Sequence, residues 1–569
     1  MTERISRSVF PELMAKALNA YSDDHISGYF ERVKREGLKE HGFCRLTSDI
    51  GLLCSMGIRR DLLPLFLEMM DFCCESIPRG GAANDFSVRE IVICLEEIEK
   101  SGLVLSERTG AWREALGRID PYKTYDVYAK TVDDNVRNWA LFTALSEFVR
   151  LRAGIGGSID FIELQIEQQL RWFDENGMYC DRKGEGRQPI VYDLVPRVLF
   201  SLLLHFGYEG RFRDRIDEIL RKAGELTLRM QSETGEIPFG GRSNQFVHNE
   251  AWLCAVLEYE AARYRAEGDT ERALAFRAGS VKALGVIDRW MSFDIPKHVK
   301  NRFPTDSRYG CEGYGYFDKY MITTASILHS AYLLSDPLIP WNCGELPRSD
   351  AFALSSSFHK VFLRNGGYFS EFDLSADPKY DASGLGRLHR KGTPPEICLS
   401  VPCPSSDESK YFIDLDSSRP LSICPALFEN GEWTAFTGSG MRYDLIGLSS
   451  DENASRADFV CASSDGSEIR SSFRLDGNGL FCSATGQGAV GIMLPAFAFD
   501  GSDHVEHDAE EQRLRIFYKG YICEYTTDGL ITDAGYTCGN RNGYYRAYRA
   551  SGNGSIGVRI RILPGCIEK

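Results

Sequence analysis

Residues 337–350 read PLIPWNCGELPRSD, and the chain is written in a different period on each side of them. Three prolines and a glycine in fourteen positions bar any regular element from running through. Before them, apolar residues recur at i, i+3, i+4 and i+7, the helical period. The clearest runs are 132–153, 159–175, 191–206, 211–231 and 246–266, within a series of about twelve. After them come short alternating runs: His359–Leu363, Glu396–Val401, Tyr411–Leu415, Glu468–Leu475, Arg513–Tyr518, Tyr521–Thr526 and Ser555–Ile562. Turn signals separate these runs, among them Asn430-Gly431, Asp476-Gly477-Asn478-Gly479 and Ser551-Gly552-Asn553-Gly554. The helical part carries no strict repeat. Its paired helices with long, polar, aromatic-rich loops suit a closed or nearly closed ring of helical hairpins better than an open solenoid. The expected fold class is therefore α+β multidomain. An (α/α) toroid is expected over residues 1–336, a linker over 337–350, and an antiparallel β-sandwich over 351–569.

Composition narrows the function classes. At 569 residues the chain exceeds one ordinary core. Its net charge of −15 argues against a nucleic-acid or anionic-membrane partner. A local cluster of Arg and His can still reverse the field inside a cleft. The 17 cysteines show no CxxC and no framework spacing, so they read as reduced, mostly buried thiols. No apolar run has the length of a signal peptide or a membrane span. A soluble cytoplasmic protein is expected, and a homo-oligomer is left open. No Walker loop, nucleotide fingerprint, GxSxG or HExxH occurs. No ligand spacing points to a metal, and no cofactor is expected.

The chemistry concentrates in a few stretches. Residues 235–252 read GEIPFGGRSNQFVHNEAW. Here Arg242, Asn244, His248, Asn249 and Glu250 fall within nine positions at a loop-to-helix junction. Polar groups this dense are costly to bury without partners, and loops on a rigid scaffold are where catalytic groups usually sit. An Arg, two amides and a His can hold a carboxylate and move a proton; an elaborate helix cap would use the same residues. Residues 302–320 (RFPTDSRYGCEGYGYFDKY) add Arg302, Asp306, Arg308, Glu312, Tyr309, Tyr314, Tyr316 and Tyr320 in a Gly-punctuated loop running into a helix. A Tyr in a polar cleft can act as general acid or base, although any single one could equally pack between domains. Tyr192 and Arg197 lie in RQPIVYDLVPR, where Asp193 and Arg197 also make a plain i, i+4 ion pair. The loop 176–181 could line the same cleft. Asn135, Arg137, Asn138 and Trp139 open another helix, offering an amide and a sugar platform, or a capped core helix. In the second part, 380–392 carries Arg387 and His389 in a basic loop after Gly-Leu-Gly. That loop is expected either to reach the helical domain and bind a carboxylate or to be solvated.

Taken together, the helical domain, the β domain, the Arg-Ser-Asn-x-x-x-His-Asn loop and the Tyr-rich loop resemble the heparinase II/III-like toroid polysaccharide lyases, including those cleaving rhamnose-glucuronate linkages. Related scaffolds also carry glucuronidases. The lyase resemblance implies β-elimination beside a uronic acid carboxylate in an oligosaccharide. It casts Asn244, with Asn249 and Arg242, as neutralisers, and His248 as base or carboxylate partner. It also casts Tyr314, ahead of Tyr309, as acid or base. A hydrolase would instead need two carboxyl groups about 5–5.5 Å apart for retention or about 6.5–9.5 Å for inversion. Its candidates are Glu250, Glu312, Asp306, Asp193 and Glu236. A non-catalytic glycan-binding protein is the third class.

Overall fold

The computed structural model describes residues 6–80, 84–126, 138–181, 187–304, 309–341, 344–346, 348–407, 409–411, 419–498 and 504–565. Fourteen helices among them come first: α1 (Val9–Leu18), α2 (Asp23–Glu36), α3 (Gly42–Ser55), α4 (Leu63–Ser76), α5 (Asn84–Ser101), α6 (Ser106–Gly117), α7 (Pro121–Thr124), α8 (Trp139–Arg152), α9 (Ile159–Leu170), α10 (Ile190–His205), α11 (Arg213–Met230), α12 (His248–Ala266), α13 (Thr270–Met291) and α14 (Phe317–Leu334). None is long and apolar enough to cross a membrane.

Local chemistry sets the boundaries. Ser22 caps α2 by accepting from the His25 amide, Asp23 and Asp24 occupy its first turn, and Gly37 at φ +80° ends it. Its buried residues Ile26, Tyr29, Phe30 and Val33 make one stripe, as a surface helix requires. Other helices have no such stripe. α3 is buried from Gly42 to Cys54 and α8 from Ala140 to Arg150, so both lie inside the domain. Six such helices touch in succession, α3 to α5, α8, α10, α12 and α14, and α14 returns to α3. The outer helices pack against this ring: α4 on α3, α9 on α8, α11 on α10 and α12, and α13 on α12.

Strands begin at β1 (Asp350–Ala353), which pairs with β2 (Lys360–Asn365), β3 (Tyr368–Asp373) and β4 (Gly384–Arg390) in a four-stranded antiparallel sheet. The second sheet has eleven strands: β5 (Pro425–Glu429), β6 (Glu432–Ala435), β7 (Arg442–Ser450), β8 (Ser455–Ala462), β9 (Glu468–Asp476), β10 (Gly479–Phe497), β11 (His504–Asp508), β12 (Arg513–Tyr518), β13 (Tyr521–Thr527), β14 (Leu530–Asn540) and β15 (Gly543–Pro564). β1–β3 lie across β7–β9, and Phe372 of the small sheet meets Phe459 and Phe473 of the large one in a shared core.

Two of the expected turns close hairpins. Asn430 and Gly431, both at positive φ, join β5 to β6, and Gly477-Asn478 joins β9 to β10. The third does not. Ser551–Gly554 lies inside β15, opposite the register shift at Thr485/Ala489 of β10, where Gly554 at φ +76° absorbs the irregularity. Glu396–Val401 forms no strand either; Leu399 makes only an isolated bridge to Leu388. Of Tyr411–Leu415, only Tyr411 is among the described residues. Every described cysteine is a free thiol.

Candidate active site

A cavity of about 550 Å³ lies at one end of the inner ring. All six inner helices meet it with their first turns: Arg45 from α3, Phe86 from α5, Trp139 from α8, Tyr192 from α10, His248 from α12, and Lys319 and Tyr320 from α14. Helix N-termini carry unpaired N–H groups and partial positive charge, so their convergence favours an anion. Lys39, Glu40, His41, Asp181 and Arg242 add to the lining.

The loop between α11 and α12 is the most constrained part of the wall. Gly241 sits at φ +76°, and a Cβ there would come within 2.8 Å of the Pro189 backbone. Ser243 follows at φ +67°, a left-handed conformation that costs about 1–3 kcal/mol in a non-glycine residue. Two side chains hold it. The Ser243 amide donates to Glu312 Oε2 at 2.8 Å, and Asn249 Nδ2 donates to the Ser243 carbonyl at 2.7 Å. The same Glu312 oxygen accepts from Gln245 Nε2 (2.9 Å) and from the Tyr314 hydroxyl (2.8 Å). Ser243 Oγ bridges the Tyr192 and Tyr314 hydroxyls, lying 3.0 Å from the first. The result is a hydroxyl chain, Tyr192–Ser243–Tyr314, that ends on a buried carboxylate.

Arg242 lies over the Tyr192 ring, 4.7 Å from its centroid, and reaches Asp181 Oδ2 at 3.3 Å. Burial opposes the Arg242 charge, but Tyr192 and Asp181 outweigh it and raise its pKa. Asn138 Nδ2 donates to the other Asp181 oxygen at 2.8 Å. Phe246 and Tyr320 stack on each other at 4.3 Å, and the His248 ring lies beside that pair, nearly parallel to both. Burial, then the nearby Arg45 and Lys300 charges, hold its pKa well below the ordinary histidine value, so its imidazole is neutral. Its Nδ1 has no hydrogen-bond partner among the described residues. Arg45 Nη1 donates to His41 Nδ1 at 2.7 Å, which leaves the proton of that neutral ring on Nε2. Burial raises the pKa of Tyr192, Tyr314 and Tyr320, so all three are phenols.

Of the residues singled out in the sequence, Arg242, His248, Tyr314, Tyr192, Asn138 and Trp139 come together on this cavity. Others do not reach it. Asn244 turns its amide to the Pro238 carbonyl (2.8 Å) and receives Arg541 (2.9 Å) from the β domain, so it is not placed to neutralise a carboxylate. Asn249 holds Ser243. Glu250 is buried against Lys300 Nζ at 2.8 Å, and Glu312 stands behind Tyr314. Tyr309 packs on Phe303 and Tyr544. Arg197 is fully buried with Asp193. Tyr316 lines a neighbouring hollow.

Arg387 and His389 belong to buried strand β4, not to a solvated loop. They do reach the helical domain, but as supports: Arg387 Nη1 donates to the Ile237 carbonyl (2.8 Å), and His389 Nδ1 pairs with Thr234 Oγ1 (2.8 Å). Arg308, Asp306, Asn135 and Arg137 lie outside the described residues. The sequence reading passed over Lys39, Glu40, His41, Arg45 and Lys319. Residues 39–45, KEHGFCR, show the signal it used elsewhere: charge and His packed just before an apolar helix. Among the described residues, no group of three or more His, Cys, Asp or Glu could hold a metal ion.

No protein-family model matches the chain, and no curated protein matches it in sequence. Solved structures similar to it include a heparan sulfate lyase from Pedobacter heparinus, at 9% identity over 91% of this chain and 73% of that one, TM-score 0.43. A heparinase III gene product aligns at 8% identity over 92% of this chain and 79% of that one, TM-score 0.49. A glycosyl hydrolase family 88 protein from Bacteroides vulgatus aligns at 9% identity over 57% of this chain and all of that one, TM-score 0.35.

Proposed function

We propose that this chain is a carbohydrate-active enzyme that cleaves a glycosidic linkage at a uronic acid residue of an oligosaccharide by β-elimination. The supporting observation is the cavity itself, where six helix N-termini converge and Lys39, Arg45, Arg242 and Lys319 outnumber Glu40 and Asp181. Such a field selects the carboxylate of a uronate among the groups a sugar carries.

Elimination needs the carboxylate neutralised, a base for the C5 proton and a donor for the leaving oxygen. Arg242 and Lys319 serve the first need. Tyr314 suits the second: its own O–H is committed to Glu312, and its oxygen can accept once the Ser243 hydroxyl turns to Tyr192. As the C5–H bond breaks, that proton joins the Tyr314 oxygen and the Tyr314 proton passes to Glu312. The C5 electron pair becomes the C4=C5 double bond, and the C4–O bond breaks. The phenol never ionises, which fits a hydroxyl whose pKa burial raises. The leaving oxygen takes its proton from solvent, with the His41 Nε2–H placed to hydrogen-bond it; neutral His248 is the alternative base.

A hydrolase reading keeps one carboxyl pair on the cavity wall, Glu40 and Asp181, in place of Glu250 and Glu312. Digestion of glucuronate-containing oligosaccharides, followed by ultraviolet absorbance, separates the two. Elimination creates a conjugated unsaturated uronate that absorbs. Release of free glucuronic acid without that absorbance sinks the lyase reading and favours Glu40 and Asp181. A His248→Ala protein that still binds sugar while the parent turns none over would leave only glycan binding.

A further inference from the structure

A second hollow, of about 490 Å³, opens beside the cavity. Lys39 and Glu40 line both and form the partition between them. The start of α14 runs past both as well. Tyr316, Phe317 and Asp318 face the hollow, whereas Lys319 and Tyr320 face the cavity. A ligand longer than one sugar, seated in the cavity, would continue over Lys39 and Glu40 into this hollow.

The chemistry changes across that partition. In the hollow, carboxylates outnumber cations: Glu36, Glu40 and Asp318 face Arg32 and Lys39. Both cations are already matched. Arg32 Nη2 donates to Asp318 Oδ2 at 3.0 Å, and Lys39 Nζ donates to Glu36 Oε2 at 3.2 Å. Asp318 also pairs with His25 at 2.7 Å. Among the described residues, the cation nearest Glu40 is Lys319, at 3.9 Å on the cavity side. A sulfate or second carboxylate entering here would meet carboxylates with no cation left to take it, a like-charge cost of the kind that sets specificity. The remaining wall is aromatic and apolar, with Tyr29, Val33, Phe43 and Phe317, and Tyr316 is half-exposed at its edge. An exposed tyrosine offers a flat apolar face and a wet hydroxyl, which suits the face of an uncharged sugar ring.

We infer that this hollow is a subsite for a neutral sugar linked to the uronate, and that the substrate joins uronate to uncharged sugar rather than being a polyuronate or a sulfated chain. The inference rests on the reading of the cavity as the uronate site.

Calorimetric titration of the full chain tests it with three tetrasaccharides: glucuronate alternating with an unsulfated neutral hexose, all-glucuronate, and sulfated heparan. The mixed neutral chain is expected to bind at least about tenfold tighter than the other two. Tyr316→Ala should weaken the mixed tetrasaccharide by about tenfold, and weaken the corresponding disaccharide less. Glu36→Lys should narrow the gap for the sulfated chain. Equal affinity for all three ligands, or variants that act equally on disaccharide and tetrasaccharide, overturns the subsite. Arg242→Ala keeps the two readings apart. If it weakens every uronate ligand while Tyr316→Ala and Glu36→Lys change nothing, only the hollow proposal falls. If Arg242→Ala changes nothing while the other two behave as stated, the uronate assignment of the cavity falls. If no oligosaccharide binds, both fall.

Discussion

Replacing Tyr314 by Phe removes one oxygen from the cavity wall and one donor from Glu312. The structural cost is bounded. A hydrogen bond to a charged group contributes about 1.5–3 kcal/mol, and Glu312 keeps the Ser243 amide and Gln245 Nε2 on the same oxygen. The loop therefore stays closed and the protein stays folded at room temperature. The catalytic cost is larger. A positioned base supplies about 10²–10⁴ in rate, equivalent to about 3–5 kcal/mol of barrier. Glu312→Gln should fall into the same range, because Glu312 is the carboxylate that accepts the Tyr314 proton. The informative variant is the double one. If proton transfer runs through Tyr314 to Glu312, each single change already abolishes the route, and Tyr314→Phe with Glu312→Gln loses no more than the worse single variant. The assay is the initial rate of unsaturated uronate formation at saturating substrate, with unfolding midpoints as the control for folding. Losses that multiply in the double variant refute the relay. A Tyr314→Phe protein with more than about a tenth of the parent kcat refutes Tyr314 as base and passes the role to His248.

Other consequences bear first on stability. Glu250→Ala strands Lys300 in the interior and should destabilise the fold by about 3–5 kcal/mol in denaturant unfolding, whereas Glu250→Met with Lys300→Met should recover most of it; equal stability of the two variants contradicts this. Five buried histidines, His41, His248, His298, His329 and His389, have pKa values lowered chiefly by burial, to about 4 for His298 and His329 and about 3 for His389. Between those values and about 6.5 the unfolded chain binds more protons, so stability should fall as pH drops through that window; a urea midpoint that stays flat from neutral pH to about pH 4 would exclude it. Ser243→Gly relieves the φ +67° strain but cuts the hydroxyl chain, so thermal stability should hold while turnover drops; unchanged turnover would mean the Ser243 hydroxyl carries nothing.

The helical half was legible because its period is strong, and the strands after it because their runs are short and alternating. Which helices lie inside was less so. α12 is buried on nearly every side from His248 to Ala261, so it has no polar stripe to read. The site was legible in part for a related reason. Density of polar residues at a loop-to-helix junction signals a demand for partners and says nothing about where the partners are. Arg242 and His248 meet that demand at the cavity. Asn244 and Glu250, two and eight positions from Arg242, meet it with Arg541 and Lys300, which no local pattern connects to them. The turn at 551–554 failed similarly, since a glycine pair that closes a hairpin and one that absorbs a bulge differ only in the partner strand.

The β domain gains a physical role from these contacts. The loop carrying Arg242 holds Gly240, Gly241 and Ser243 at positive φ, and at Ser243 that conformation costs about as much as one or two local hydrogen bonds return. The small sheet supplies what is missing. Phe239 is pinned beneath Lys360 Nζ at 3.4 Å and donates its amide to Glu371 at 3.3 Å; the Gly241 amide donates to Asp381 at 2.6 Å; and Arg387 and His389 hold Ile237 and Thr234. Arg387 and His389 thus act on the cavity through the backbone between residues 234 and 243, and a sugar need never touch them. Sheet and ring are therefore one machine. The ring provides a converging field for an anion, and the sheet fixes the single loop that gives that field an arginine, a neutral histidine at the next helix start and a hydroxyl chain for the proton.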